Sequence, residues 1–154
     1  MKTIFQKLLP VGVLLISSFC LKSQVNTVEI NASALIEDKA TDDYSIVVYS
    51  DGQLKDSIYN KKTKAVTLSL ESNTLYSVVF KKANYPDKLV IVNTKIPTGL
   101  MELAEDPFEL QIELTPNTTT LKKDLYDYPV AILQVNKKVK SLMASESYHK
   151  FTHN

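Results

Sequence analysis

The apolar residues of this chain recur at every second position, not every third or fourth, and that period restricts most of it to extended strands. "PFELQIEL" (Pro107 to Leu114) is the plainest case: Phe108, Leu110, Ile112 and Leu114 fall on one side of an extended backbone, and Glu109, Gln111 and Glu113 on the other. "AVTLSL" (Ala65 to Leu70) repeats the pattern with Val66, Leu68 and Leu70, and "LYSVVFKK" with Tyr76, Val78 and Phe80. "VEINASALI" (Val28 to Ile36), "YSIVVYS" (Tyr44 to Ser50), "QLKDSIY" (Gln53 to Tyr59) and "PVAILQV" (Pro129 to Val135) read as further strands, rich in residues that favour a half-buried pleated backbone. "KLVIVN" (Lys88 to Asn93) is continuously apolar, as expected of a strand covered on both faces.

The joints between these runs carry turn chemistry. Asp51-Gly52 between two strand-like runs predicts a tight hairpin, because such a turn needs positive φ and glycine supplies it without steric cost. In the returning arm, Leu54 and Ile58 are expected to alternate with polar neighbours. "NKKTK" and "ESNT" make polar turns, "KIPTGLMELAED" a long connection with a helical turn, and "NKKVKSLMASESYHKFTHN" either a frayed strand or a short helix. Seven or eight strands at roughly ten-residue spacing predict an all-β fold, a Greek-key β-sandwich spanning residues 24–136, with 137–154 as a tail, extra strand or short helix.

Met1 to Lys7 carries two lysines and no acid, Leu8 to Phe19 is an apolar run interrupted by Pro10, and Lys22-Ser23-Gln24 is polar. This is the layout of a secretory signal peptide, 1–23, cut before Gln24, and too short to remain as a membrane span. The expected destination is the periplasm, the cell surface or the extracellular space. Cys20 lies inside the signal, and the bulky Phe19 before it argues against lipidation there. After cleavage about 130 residues remain without cysteine, enough for one domain held by its own core and no disulfide.

Composition removes several functions. Lysines and acids nearly balance and every basic residue other than histidine is lysine, so the bidentate guanidinium fork used on phosphates and base edges is missing and nucleic acid is not an expected partner. With Gly52 and Gly99 as the glycines after the signal, there is no phosphate cradle and no Gly-x-Ser-x-Gly elbow. His149 and His153 lack a metal-binding spacing. Glu37, Asp38, Asp42, Asp43 and Asp51 lack that of a calcium loop and read as solvated. No catalytic residue, cofactor or metal site is assigned. The tyrosines, including Tyr44, Tyr49, Tyr59, Tyr126 and Tyr128, could form a sugar-stacking platform, although a β-sandwich also uses tyrosine in its core and rims.

"YSDGQLKDSIYN", "LSLESNTLYSVVFKKANYPDKLVIVNTKIP", "PFELQIEL" and "YDYPVAILQVN" resemble a group of small exported proteins of Bacteroidota, whose sandwich is similar to the regulatory domain of carboxypeptidases and to transthyretin. In that group a strand ending Phe-x-Lys is followed by Gly-Tyr and a lysine, then by a strand ending at Asn or Asp, Thr and a nearby Pro. Phe80, Lys82, Tyr85, Lys88, Thr94 and Pro97 occupy those positions, and Asn84 stands where the group has glycine. Asparagine is among the few non-glycine residues that tolerate a left-handed backbone, so the hinge is expected to be architectural, with Tyr85 folded back on the sandwich and Pro86 stiffening the turn. The alternative for the hinge is a binding patch of Lys81, Lys82 and Lys88.

The resemblance implies fold and location more than activity. The resulting expectation is a non-enzymatic exported module that works by contact with an envelope or surface protein, through an exposed edge strand or its end loops. Tyr85 and Lys88 at the hinge, and Tyr126 and Tyr128 before the last long strand, are the candidate contact residues. A small glycan-binding or hydrolytic secreted protein is the alternative, and tyrosines and carboxylates meeting in one concave pocket would favour it.

Overall fold

The computed structural model describes residues 27–62, 64–100, 103, 106–116 and 129–145. The expected signal, Tyr126, Tyr128 and both histidines lie outside them. The described residues form ten strands and no helix: β1 (Thr27–Ile36), β2 (Lys39–Ala40), β3 (Tyr44–Ser50), β4 (Gln53–Asn60), β5 (Val66–Glu71), β6 (Leu75–Lys81), β7 (Lys88–Asn93), β8 (Phe108–Glu113), β9 (Ala131–Asn136) and β10 (Ser141–Ala144). The two strands beyond the expected seven or eight are the two-residue β2 and the short β10, which falls in the segment left open between strand and helix.

β1 is the centre of the smaller sheet. It pairs antiparallel with β5 along one edge, with β2 next to it, and parallel with β8 along the other. The larger sheet has six strands in the order β10-β9-β7-β6-β3-β4, antiparallel except for the β7–β9 pair. Alternation then decides the core. Ile30, Ala32, Leu68, Leu70, Leu110 and Ile112 from the smaller sheet and Tyr44, Ile46, Val78, Phe80, Val90 and Val92 from the larger one belong to a single buried cluster between them.

Local chemistry fixes the connections. Asp51 and Gly52 have φ of 50° and 74°, the two positive values a two-residue hairpin requires, and join β3 to β4. Asn84 sits at φ 68°, as its position in the hinge demands, and Tyr85 packs against the core. Asn60 is buried and holds the β4–β5 turn: its amide donates to the Tyr44 hydroxyl and to the Lys64 carbonyl, each at 2.8 Å, while its Oδ1 accepts the Lys62 N–H. Tyr44 in turn stacks on Phe80 with ring centroids 6.4 Å apart. Among the described residues no buried side-chain polar atom lacks a partner.

Two expectations need correction in detail. A bulge in β4 shifts the register between Val48, opposite Asp56, and Tyr49, opposite Leu54. Lys55 is the extra residue, so Ile58 faces the core beside Ile46 whereas Leu54 is turned to the outer face and is 61% exposed. β7 is central but not covered on both faces by described elements: Val90 and Val92 are buried, and Leu89 and Ile91 on its outer side are half-buried.

Candidate functional site

The hinge residues are engaged within the chain. Lys81 pairs with Asp87 at 3.2 Å on the surface, and the Lys82 ammonium donates to the backbone carbonyl of Asp43 at 3.3 Å and to that of Asp42, tying the hinge to the loop before β3. The Tyr85 N–H donates to the Lys82 carbonyl at 3.1 Å. Lys88 stands opposite Phe80 in the β6–β7 ladder, and therefore on the inner side at the rim of the sandwich. Its ammonium reaches across to the other sheet and donates to the Thr115 hydroxyl at 3.1 Å. The three lysines thus lead to three different places, and no shared patch forms between them.

Burial lowers the Lys88 pKa from the ordinary lysine value of 10.5, and the Glu113 carboxylate partly opposes that shift. A lysine pKa lower in the folded than in the unfolded chain means that the unfolded chain binds more protons between the two values, so stability rises with pH through that window. Lys88→Met should change stability at neutral pH by less than about 1 kcal/mol, the lost hydrogen bond being offset by relief of desolvation. It should also abolish its share of the rise as pH approaches 10.5. Tyr59 works in the opposite sense over part of that range, because its hydrogen bond to Asp43 raises the phenol pKa. The informative quantity is therefore the difference between the urea-unfolding curves of parent and variant as pH rises. A constant difference would remove the burial account.

The two outer faces differ sharply. On the smaller sheet, Thr27, Glu29, Asn31 and Ser33 of β1 lie beside Thr67, Ser69, Glu109, Gln111 and Glu113. Asn31 is bound into this polar ladder, donating to Glu109 at 2.8 Å and accepting from Thr67 at 2.9 Å. On the larger sheet the outward positions hold an aliphatic row, Val47, Val79 and Leu89 side by side, and a mixed row of Tyr49, Ser77, Ile91 and Ile132, with Ser45, Ser57 and Lys81 also on this face. Val47 faces outward, between Ser57 and Val79, and is still only 9% exposed. Leu54, Tyr59, Leu75, Val130 and Met143, five of the six exposed large hydrophobic residues among the described ones, belong to this same face. Scattered surface hydrophobics are ordinary; here those of the described residues collect on one sheet face, interleaved with polar positions such as Asn93 and Gln134.

A cleft of about 620 Å³ opens along one side of the sandwich, where β5 of the smaller sheet and β3 and β4 of the larger one diverge. Val48, Leu68, Leu70 and Tyr76 form its apolar floor, and Asp51, Asp56 and Glu71 outnumber Lys55 on its rim. Its end is held by the β5–β6 turn, in which the Tyr76 hydroxyl accepts the Glu71 N–H at 3.1 Å. The tyrosines do not gather there: Tyr76 is on the floor, Tyr44 in the core, Tyr49 and Tyr59 on the outer face and Tyr85 at the hinge. Among the described residues no three histidine, cysteine or acidic side chains come together to hold a metal ion. The arrangement offers hydrogen-bonding edges, apolar surface and negative charge. Sequence reasoning missed both the apolar face and the cleft, although "YSIVVYS" and "KLVIVN", apolar at successive positions, signal the first.

No family model, no curated protein and no solved structure matches the chain.

Proposed function

We propose that this protein is an exported, non-enzymatic β-sandwich module, of the Greek-key, transthyretin-like kind found in small exported proteins of Bacteroidota, that works by contact with another protein of the cell envelope. The observation that carries the reading is the aliphatic outer face of the six-stranded sheet, centred on Val47, Val79, Leu89 and Ile91. A domain this small gains nothing for its own fold by presenting such a face to water, whereas a partner that covers it removes that area from solvent. The chain leaves β4 for β5 of the other sheet and returns to β6 beside β3, a crossing between sheets that supports sandwich connections of the Greek-key kind. The signal-like N-terminus supports export, and the resemblance at Phe80, Lys82, Tyr85, Lys88, Thr94 and Pro97 supports the family.

The test is photo-cross-linking in living cells from a benzoylphenylalanine placed at Ile91, with one at Glu109 on the polar face as the control. A discrete envelope protein should appear in the Ile91 adduct and not in the Glu109 adduct. Ile91→Lys, with the photoprobe moved to Leu89, should cut that adduct about tenfold or more, since a lysine charge buried in an apolar contact is costly. The same variant should change stability of the free protein by less than about 2 kcal/mol, its side chain lying on the outer face of the sheet and outside the core between the sheets. Equal adduct patterns from both faces, or recovery of the uncross-linked chain alone, would remove the reading.

A further inference from the structure

The sheets are unequal where the cleft opens. The larger one continues through β3 to β4, whereas the smaller one stops at β5. Asp56 and Ile58 are paired with the buried Val48 and Ile46 and so lie on the inward side of β4, past the last strand of the sheet that faces them. The space left over is the 620 Å³ cleft, bounded by Val48 and Ser50 on one wall and by Thr67 to Glu71 on the other. It is the position the next strand of the smaller sheet would take.

Its two bordering edges are not equivalent. On β4 the bulge at Lys55 interrupts the ladder, and the Asp56 carboxylate accepts the Ser57 N–H at 2.7 Å, so that this donor is already satisfied. Bulges and self-bonded side chains are how proteins blunt a free edge. β5 has neither device at Thr67 or Ser69. Its Glu71 N–H points away from β1, to the Tyr76 hydroxyl. Because hydrogen-bonded and free positions alternate along an antiparallel strand, Leu70 and Leu68 bond to β1, and Ser69 and Thr67 direct their N–H and C=O groups outward along the cleft. Among the described residues no strand lies beside that edge.

From the unpaired edge, the missing strand position and the acidic rim, we propose that β5 receives an extended segment of a partner protein. The segment adds to β5 as a further strand, sends alternate aliphatic side chains toward Leu68, Leu70 and Val48, and carries lysine or arginine against Asp51, Asp56 and Glu71. The inference rests on the reading of the protein as a contact module and supplies the chemistry of one contact. A second copy of this chain is the poorer occupant, because pairing β5 with itself brings the same carboxylates of the two copies toward one another.

The probe is a fluorescein-labelled synthetic peptide of about ten residues, a common strand length, with valine and lysine alternating, added to the protein as its host processes it. Anisotropy should show saturable binding, and the Thr67 and Ser69 amides should gain protection from hydrogen exchange. The same peptide N-methylated at alternate residues, which keeps its charge and cannot form a ladder, should bind about tenfold or more weakly. Ser69→Pro should weaken binding of the unmodified peptide to the same degree, because proline removes the outward donor and leaves the β1 ladder intact. Equal binding of the two peptides would reduce the interaction to charge alone and overturn the proposal, and so would no binding at all. The peptide comparison needs no variant, so a Ser69→Pro chain that fails to fold does not leave the question open. A dimer in sedimentation that Ser69→Pro dissolves would assign the edge to a second copy and overturn the partner segment. Adducts from Ile91 that persist while the peptide fails to bind would sink this inference alone and leave the contact module standing.

Discussion

Replacing Phe80 by alanine should destabilise the protein by about 3–5 kcal/mol, enough to leave a large unfolded fraction at 37 °C in a domain of ordinary stability. Phe80 is fully buried, belongs to the central part of the six-stranded sheet and stacks on Tyr44. Its removal deletes more apolar surface than any aliphatic truncation in this core, and it leaves a void between two sheets that cannot close without disturbing the strands on either side. The neighbour across the ladder is Lys88, whose half-buried side chain starts from the same inner face. Urea unfolding followed by far-ultraviolet circular dichroism measures the change. Phe80→Leu, which refills most of the volume, should cost less than half as much. A loss below about 1.5 kcal/mol for alanine would mean that the sheets collapse onto the vacancy, and that Phe80 is not the keystone its burial implies.

The strands were legible because period two is a property of the backbone and needs no knowledge of what packs on what. "KLVIVN" and "YSIVVYS" coincide with β7 and β3, and "PFELQIEL" overshoots β8 by one residue at each end. Asp51-Gly52 and Asn84 were legible for a related reason: positive φ is a local demand that few residues meet. The β4 bulge was not, since "QLKDSIY" alternates equally well with or without an extra residue, and only pairing with β3 shows that Leu54 and Ile58 fall on opposite faces. Nor could β7 announce which of its apolar sides would face the core and which would be only half-buried. Continuous apolar runs arise both in strands covered on two sides and in strands with one face reserved for a partner. The cleft was further out of reach. It follows from how many strands each sheet receives, and that number is a property of the topology, not of any single segment.

Thr94→Val should cost about 1–3 kcal/mol although it changes the size of the side chain hardly at all, because what it removes is the hydroxyl on which the β5–β6 turn closes. Thr94 has no exposed surface. Its hydroxyl accepts the Thr74 N–H at 3.0 Å and lies 2.7 Å from the Glu71 carbonyl and 2.9 Å from that of Thr74; with one proton it donates to one of them at a time. The backbone of the same residue pairs with the same turn, its N–H to the Thr74 carbonyl at 2.9 Å and its carbonyl from the Asn73 N–H at 3.0 Å. Asn73 occupies φ 62° within that turn, and its side chain accepts the Ile96 N–H at 3.2 Å. Valine would keep the packing and strand the Thr74 N–H away from water, so the penalty is that of an unmade hydrogen bond and not of a cavity. Thr94→Ser, which restores the hydroxyl, should recover most of the loss, and hydrogen exchange at Thr74 should accelerate in valine and not in serine. If valine costs nothing and serine carries the loss, the methyl group carries the site. The turn at the end of the cleft, with Glu71, Thr74 and Tyr76 on its wall, would then be held by packing alone, and the peptide-binding edge of β5 should be indifferent to Thr94.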